Sequence, residues 1–153
     1  MSSPFRFGLE RVREIRVHDE EQAKEQFAAS LSERVRGEAL LRAAEARVEQ
    51  ARTQPAAASV GDADGRITGL SLLSRQAWVD RLERSRQDAE VQLRGLEAEL
   101  ARRRESLTAA SRRREVLDKL KDRQREAHRR DAERREGAEL DEMALRVHGR
   151  RAA

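Results

Sequence analysis

The sequence predicts an all-α protein in which two long helices form an antiparallel coiled-coil hairpin, with the second helix longer and overhanging the first. Of its 153 residues, 41% are charged and only 3% are aromatic, which leaves few large side chains for a compact core. Leucine and alanine recur at alternating steps of three and four residues, the spacing of a coiled coil. One stretch, Gln54 to Gly69, contains Pro55 and three of the eight glycines, which together interrupt a helix.

The first helix is expected from about Gly8 to about Thr53, after a short lead-in that contains Phe5 and Phe7. Between Ala23 and Val35 its apolar residues are spaced by four, four and four, which predicts a local stutter in the supercoil. Polar residues before Ala23 predict weak packing there. The apolar positions expected in the seam between the helices are Leu9, Val12, Ile15, Ala23, Phe27, Leu31, Val35, Leu41, Ala44, Val48 and Ala51.

A flexible loop over residues 54–70 should join this helix to the second, which is expected from about Ser71, as its N-cap, to about Val147. At about 1.5 Å per residue that helix would be about 115 Å long. Basic residues at seam positions can set the register of the two helices. The seam expected along the second helix is Ala89, Leu93, Leu96, Leu100, Arg103, Leu107, Ala110, Arg114, Leu117, Lys121, Gln124 and His128.

The unequal lengths predict an overhang. The first helix would be about 69 Å long and would cover the second only as far as about Glu115. An isolated helix gains little stability in water, because packing supplies most of it. The uncovered and strongly basic remainder is therefore expected to dock into a partner.

The sequence offers no catalytic or metal-binding set. The three histidines, His18, His128 and His148, lack the spacing of metal ligands, and there is no cysteine. The segment Gly61 to Gly65 (GDADG) lacks the later ligands of a calcium loop. We therefore expect no enzyme activity, no cofactor, no metal and no small-molecule substrate.

No apolar run suggests a signal peptide or a membrane span, so a cytoplasmic location is expected. The basic stretch contains recurring acidic residues and no interleaved aromatics, which argues against nucleic-acid binding. Trp78, the only tryptophan, forms a ridge with Leu82 beside the seam. Such a ridge can anchor a partner or simply cover the edge of the hairpin.

Three local patterns, in this order, resemble those of the flagellar FliJ family. Residues 5–12 (FRFGLERV) resemble the family's opening, and residues 75–83 (RQAWVDRLE) resemble the start of its second helix. Residues 140–146 (LDEMALR) resemble its closing pattern. The resemblance spans essentially the whole chain, including the hairpin and the overhang.

The resemblance implies a non-enzymatic, stalk-like coiled coil of the flagellar type III protein export apparatus, with a part in motility and chemotaxis. It also implies three partners: the flagellar export ATPase (FliI), whose ring receives the chain ends, the cytoplasmic domain of the export-gate protein (FlhA), and export chaperones. The protein would then be cytoplasmic and peripherally associated with the inner face of the cell membrane through that apparatus.

Residue by residue, the resemblance implies two contact surfaces. The gate-contacting residues would be Trp78 and Leu82, with Leu40 and Ala44 as weaker matches on the first helix. Ala44, Arg47 and Ala51 stand where the family can have aromatics, which weakens the first-helix half of that contact. The ATPase side would comprise Phe5, Phe7, Leu9, Leu117, Leu140, Asp141, Glu142 and Arg146.

Three alternatives stay open at this point. The chain could be the equivalent stalk protein of a virulence type III secretion system, a generic coiled-coil scaffold, or a nucleic-acid-binding helix. Neighbouring genes would separate the first from the flagellar hypothesis, and salt-dependent DNA retention would identify the last. The sequence leaves open the oligomeric state and the identity of the chaperones served.

Overall fold

Two α-helices make up almost all of the chain in the computed structural model, which describes residues 4–54 and 68–151. Helix α1 is Glu10–Thr53 and helix α2 is Gly69–Arg151, 44 and 83 residues long. They pack side by side in antiparallel directions, and no strand occurs among the described residues. The predicted fold class and the longer second helix are confirmed. Most of the predicted loop, including GDADG, lies outside the described residues.

The contacts within the chain form two units, which we call the terminal unit (Met1–Gln22 with Thr108–Ala153) and the loop-side unit (Ala23–Leu107). In the loop-side unit, later residues of α1 pair with earlier residues of α2, as in an antiparallel hairpin. Arg103 donates to Gln26 at 2.8 Å, Arg34 lies 3.9 Å from Glu97, and Arg52 pairs with Glu83.

The α1 seam in the loop-side unit is an unbroken alternation of steps of three and four, so the predicted stutter is wrong. Leu31 and Val35 are 42% and 53% exposed and lie outside the seam. Ser30, which is 6% exposed, and Gly37 occupy the seam instead. The least exposed positions here are Ala23, Phe27, Ser30, Arg34, Gly37, Leu41, Ala44, Val48 and Ala51.

Gly37 explains why the seam follows these small residues. A Cβ added there would lie 2.7 Å from Cδ1 of Leu96, closer than side chains normally approach. The two helices therefore come close enough at this level for a leucine of α2 to fill the space above the glycine. The apolar pattern alone could not indicate this, because glycine carries no hydrophobic signal.

The predicted seam of α2 is confirmed at all but one of its positions. Gln124 is exposed, whereas the others from Ala89 to His128 are half-buried or buried. In the loop-side unit the same frame extends back through Leu82 and Val79, which are also half-buried. The leucine spacing of this helix thus predicted its packed face correctly.

Helix α2 begins two residues earlier than expected, with Thr68 rather than Ser71 as its N-cap. The backbone N–H of Ser71 donates to Oγ1 of Thr68 at 3.2 Å, and the backbone N–H of Thr68 donates to Oγ of Ser71 at 3.0 Å. This reciprocal arrangement satisfies two backbone donors at the helix start. Ser71 therefore supports the cap from the first turn, three residues inside.

The carboxyl end of α1 is held by a single arginine of α2. The guanidinium of Arg75 donates to the backbone carbonyls of Ala51 at 3.1 Å and Arg52 at 3.4 Å, and also to that of Gln54. The last carbonyls of a helix lack intrahelical donors and carry partial negative charge. Arg75 thus satisfies these acceptors and supplies a positive charge at the end of α1.

In the terminal unit, the amino end of the chain covers more of α2 than predicted. Lys121 donates to Glu10 at 2.6 Å, and the ring of Phe5 lies 5.8 Å from that of His128. The overhang therefore does not begin at Glu115: among the side chains that the structure describes, the last half-buried one of α2 is Ala132, and the overhang follows it.

The error in the overhang has two physical causes. The expected overhang requires the end of α1 to lie beside Ser71. The contacts of Arg75 and the Arg52–Glu83 pair place that end beside about Val79. This shifts the pairing by about two helical turns. The lead-in before Glu10 then continues along α2 and adds further cover.

Candidate partner-binding surfaces

On the loop-side unit, the predicted ridge of Trp78 and Leu82 is only partly open. Trp78 is 43% exposed and flanks the seam, whereas Leu82 is half-buried within it. Beside them, a shallow cleft at the end of α1 is lined by three apolar residues, Ala51, Leu72 and Val79, and by four polar ones, Arg52, Arg75, Gln76 and Glu83. A partly exposed indole beside a cleft of mixed polarity is suited to bind a protein partner.

The first-helix residues expected to share that surface lie elsewhere on the same unit. Leu40 is 62% exposed and Ala44 is half-buried in the seam. Gly37 contacts Leu96, whereas Trp78 lies near the level of the end of α1. Leu40 and Trp78 are therefore separated by about 20 Å along the helix axis. The structure does not bring the two halves of the expected gate contact into one continuous patch.

In the terminal unit, Phe5 and Phe7 fasten the lead-in to α2. Phe7 is only 8% exposed, and Nζ of Lys121 lies 6.0 Å from the centre of its ring. Phe5 stacks edge-on against His128, with Cζ of Arg125 6.0 Å from its ring centre. Cations over aromatic faces attract electrostatically. These two phenylalanines thus make internal contacts, whereas Leu9 remains 41% exposed.

The remaining residues of the predicted ATPase side fall into two groups. Leu117 is half-buried in the seam and therefore belongs to the covered part of α2. Leu140 is 66% exposed, and Asp141, Glu142 and Arg146 are exposed as well. Arg146 pairs with Glu142 one turn away at 2.6 Å. The overhang therefore presents an apolar residue among charges, the surface of a helix that can accept a partner.

Sequence reasoning missed a buried ionic cluster in the terminal unit. Glu20 is 6% exposed and accepts hydrogen bonds from Oγ of Ser111 at 2.9 Å and from Arg114. Arg114 also pairs with Asp118, which accepts a hydrogen bond from Nε of Arg13 at 2.6 Å. The polar interval of α1 expected to pack weakly is therefore filled by hydrogen-bonded charges.

Glu10 extends this ionic cluster towards the lead-in. The hydrogen bond from Lys121 is the main reason that the pKa of Glu10 lies below its ordinary value, and the charge of Arg13 acts in the same direction. The hydrogen bond to Asp118 likewise raises the pKa of Arg13. The leucine spacing of α2 predicted its basic seam residues. It could not predict their acidic partners on α1, because those residues are not part of an apolar pattern.

The described residues show neither a membrane-spanning helix nor a metal cluster. None of their helices is long and apolar enough to cross a bilayer. Within the same residues, no three histidine, aspartate or glutamate side chains are grouped to bind a metal ion. The described surfaces present exposed apolar residues, ion pairs and the partly exposed indole of Trp78.

Comparison with known proteins identifies a family. Residues 5–153 match the family model described as flagellar FliJ protein. No curated protein and no solved structure matches the chain. The matched range includes both helices and both candidate surfaces.

Proposed function

Since this chain belongs to the FliJ family of flagellar proteins, we propose that it links the export ATPase to the export gate as a stalk-like coiled coil. Membership of the family makes it a non-catalytic component of the flagellar export apparatus, which transports proteins. The more specific roles proposed below assign one partner to each candidate surface.

The overhang is the surface that we assign to the ring of the export ATPase (FliI). The observation that carries this assignment is the exposure of the end of α2, where Leu140 is 66% and Leu145 is 73% exposed. A helix without packed neighbours is stabilised mainly by whatever it binds. A ring that encloses this segment would bury those side chains and contact Asp141, Glu142 and Arg146.

A binding and hydrolysis assay with the cognate export ATPase tests the assignment. The full chain should be retained by the immobilised ATPase and should change its rate of ATP hydrolysis. Leu145→Ala should weaken both effects, whereas Leu73→Ala, a matched change of an exposed leucine at the other end of α2, should weaken neither. Absence of binding and of any change in hydrolysis with the full chain would refute the proposal.

The loop-side surface around Trp78 is the one that we assign to the cytoplasmic domain of the export gate (FlhA). The partly exposed indole, beside a cleft with both apolar and charged side chains, supports this assignment. Leu40 and Ala44 would then contribute a separate, weaker contact, because they lie about 20 Å away along the axis. Export chaperones complete the proposed set of partners.

We place the protein in the cytoplasm, held at the inner face of the cell membrane by these partners. A chain that bridges an ATPase and a membrane gate needs no anchor of its own. Fractionation of cells with and without the export gate would test this, since loss of the gate should release the protein from the membrane fraction.

A further inference from the structure

The terminal unit exposes an apolar edge that the hairpin itself does not cover. Val12, Ile15 and Val116 are 40%, 54% and 65% exposed, and Leu9 beside them is 41% exposed. Leu120, which is half-buried, completes the group. We call these five residues the apolar edge. Contiguous exposed apolar residues rimmed by charges usually mark a protein-binding site.

Helical geometry places these residues together. Arg13 and Lys121 lie in the seam, and their partners Asp118 and Glu10 flank it on one side, which sets the antiparallel register. Their spacing puts Val12 level with Leu120, and Ile15 level with Val116, on the opposite side. The edge therefore spans both helices and forms a shallow groove in which a third helix could lie.

The sequence of this unit inverts the usual coiled-coil pattern. Charged residues such as Glu20 and Arg114 occupy the seam, whereas Val12, Ile15 and Val116 lie outside it. An aliphatic side chain left in water gains none of the free energy of burial, about 25 cal/mol per Å² of apolar surface. A second binding partner would recover that free energy.

The rim of the apolar edge is positive. Arg113 lies just before Val116 and Arg123 just after Leu120, both exposed and on the same side of α2. Among the described residues, neither arginine forms an ion pair with a carboxylate. A matching ligand is therefore an amphipathic helix with acidic residues beside its apolar face.

The overhang of this same chain is such a helix. Leu140 and Met143 are 66% and 58% exposed and lie on one face, since they are three residues apart. The residues around them are mainly acidic, namely Glu136, Glu139, Asp141 and Glu142, of which Glu142 is paired with Arg146. The overhang thus offers the apolar stripe and the negative charge that the apolar edge lacks.

The overhang cannot reach the apolar edge of its own chain. Both belong to the continuous helix α2, in which Leu140 lies about 36 Å beyond Val116. The contact must therefore join two molecules. We propose that two copies of this chain pair tail to tail, each laying its overhang on the apolar edge of the other. Two equivalent contacts related by a two-fold axis form a closed dimer.

This proposal does not depend on the export partners assigned above. If the overhang also binds the ATPase, the two associations would compete for Leu140, and dimerisation would protect the segment when no ATPase is present. The dimer is tested with the purified full chain alone, so that its failure leaves the ATPase proposal untouched.

Sedimentation equilibrium of the full chain gives the primary test. The mass should rise from 17.5 kDa towards twice that value with concentration, with a dissociation constant on the order of 10 µM. Added salt should weaken the dimer, since ions screen the exposed charges. The double variant Leu140→Ala/Met143→Ala should weaken association about tenfold or more. The matched control Leu31→Ala/Val35→Ala should leave it unchanged.

A charge exchange distinguishes this pairing from unspecific association. Arg113→Glu/Arg123→Glu should weaken the dimer, and adding Glu139→Lys/Glu142→Lys to the same chain should restore it. Circular dichroism checks that helicity is retained in each variant. A wild-type chain that stays at 17.5 kDa at about 200 µM would overturn the proposal. Association that none of these changes affects would overturn it as well.

Discussion

Glu20 shows how one buried carboxylate can fix the pairing of two helices. It is 6% exposed, and its hydrogen bonds come from Ser111 and Arg114 of the opposite helix. A buried charge without partners is very costly, so any register that separates these residues is disfavoured. The cluster therefore adds specificity to a seam that has little apolar surface.

We expect Glu20 and Arg114 to be energetically coupled. In a double-mutant cycle of Glu20→Gln and Arg114→Gln, the coupling free energy should be about 1–2 kcal/mol, measured by chemical unfolding. Lys119 and Glu115, an exposed pair within one helix, should show a clearly weaker coupling. Equal coupling in the two cycles would mean that burial adds nothing to the Glu20 contact.

The pH dependence of the lead-in should follow the ionisation of Glu10. Its pKa is lowered, chiefly by the hydrogen bond from Lys121, so the carboxylate contributes stability at neutral pH. For a depressed folded-state pKa, that contribution is present above the unfolded value, near 4.5, and is lost as the pH falls through the folded value. The protection of amides near Phe7 and Glu10 against hydrogen exchange, relative to the intrinsic exchange rate at each pH, should therefore fall below about pH 4.

The variant Glu10→Gln provides the control for this prediction. It keeps the shape of the side chain but cannot ionise, so exchange near Phe7 should be faster at neutral pH and less dependent on acid. A wild-type chain and a Glu10→Gln variant with the same acid profile would show that another group controls the lead-in.

Trp78 should be a binding residue more than a stabilising one. It is 43% exposed and flanks the seam, so Trp78→Ala should leave helix content nearly unchanged. Its binding to the export-gate domain should fall about tenfold or more, as for a central aromatic contact. Leu40→Ala should have a smaller effect. A large loss of helicity in Trp78→Ala would instead make the indole part of the hairpin core.

At the scale of the elements, glycine placement distinguishes the packed from the open face of a helix. Gly37 lies in the α1 seam against Leu96, whereas Gly95 of α2 has nothing within 4 Å of an added Cβ. Glycine in a helix interior costs about 1 kcal/mol relative to alanine. Replacement of glycine by alanine should therefore change the free energy of unfolding differently at these two positions.

Gly95→Ala should raise the free energy of unfolding by up to about 1 kcal/mol. Gly37→Ala should gain less or lose stability, because its Cβ would lie 2.7 Å from Cδ1 of Leu96. Thermal unfolding of both variants measures the difference. Combining Gly37→Ala with Leu96→Ala relieves the close contact and serves as the control. Equal stabilisation at the two glycines would show that the helices are further apart at Gly37.

At the scale of the whole molecule, we expect the covered part of α2 to stabilise the hairpin and the overhang to bind the ATPase. A chain truncated after Arg135 retains every described contact between the two helices, because the last of these involves His128. It should keep the thermal unfolding midpoint of the hairpin, since an isolated helical end contributes little. Stimulation of ATP hydrolysis should be lost. Retained stimulation would place the ATPase contact on the hairpin.

Much of this fold follows from local sequence patterns. The heptad leucines of α2, the glycine-rich interruption and the unequal helix lengths predict the hairpin, because each acts through spacing along one helix. The family patterns at residues 5–12, 75–83 and 140–146 likewise predicted the family that the full-length match shows. The surfaces assigned to the gate and the ATPase remain predictions.

Tertiary packing alone determined which residues of α1 face α2. Four apolar residues of α1 would be assigned to the seam by hydrophobicity alone, yet they are exposed and lie outside it: Val12, Ile15, Leu31 and Val35. The physical reason is that the observed register places Glu20 against Ser111 and Arg114, and Gly37 against Leu96. The cross-helix partners of Glu20, the contact at Gly37 and the true start of the overhang all depend on that register. The spacing of apolar residues along a single helix cannot predict the register between the two helices.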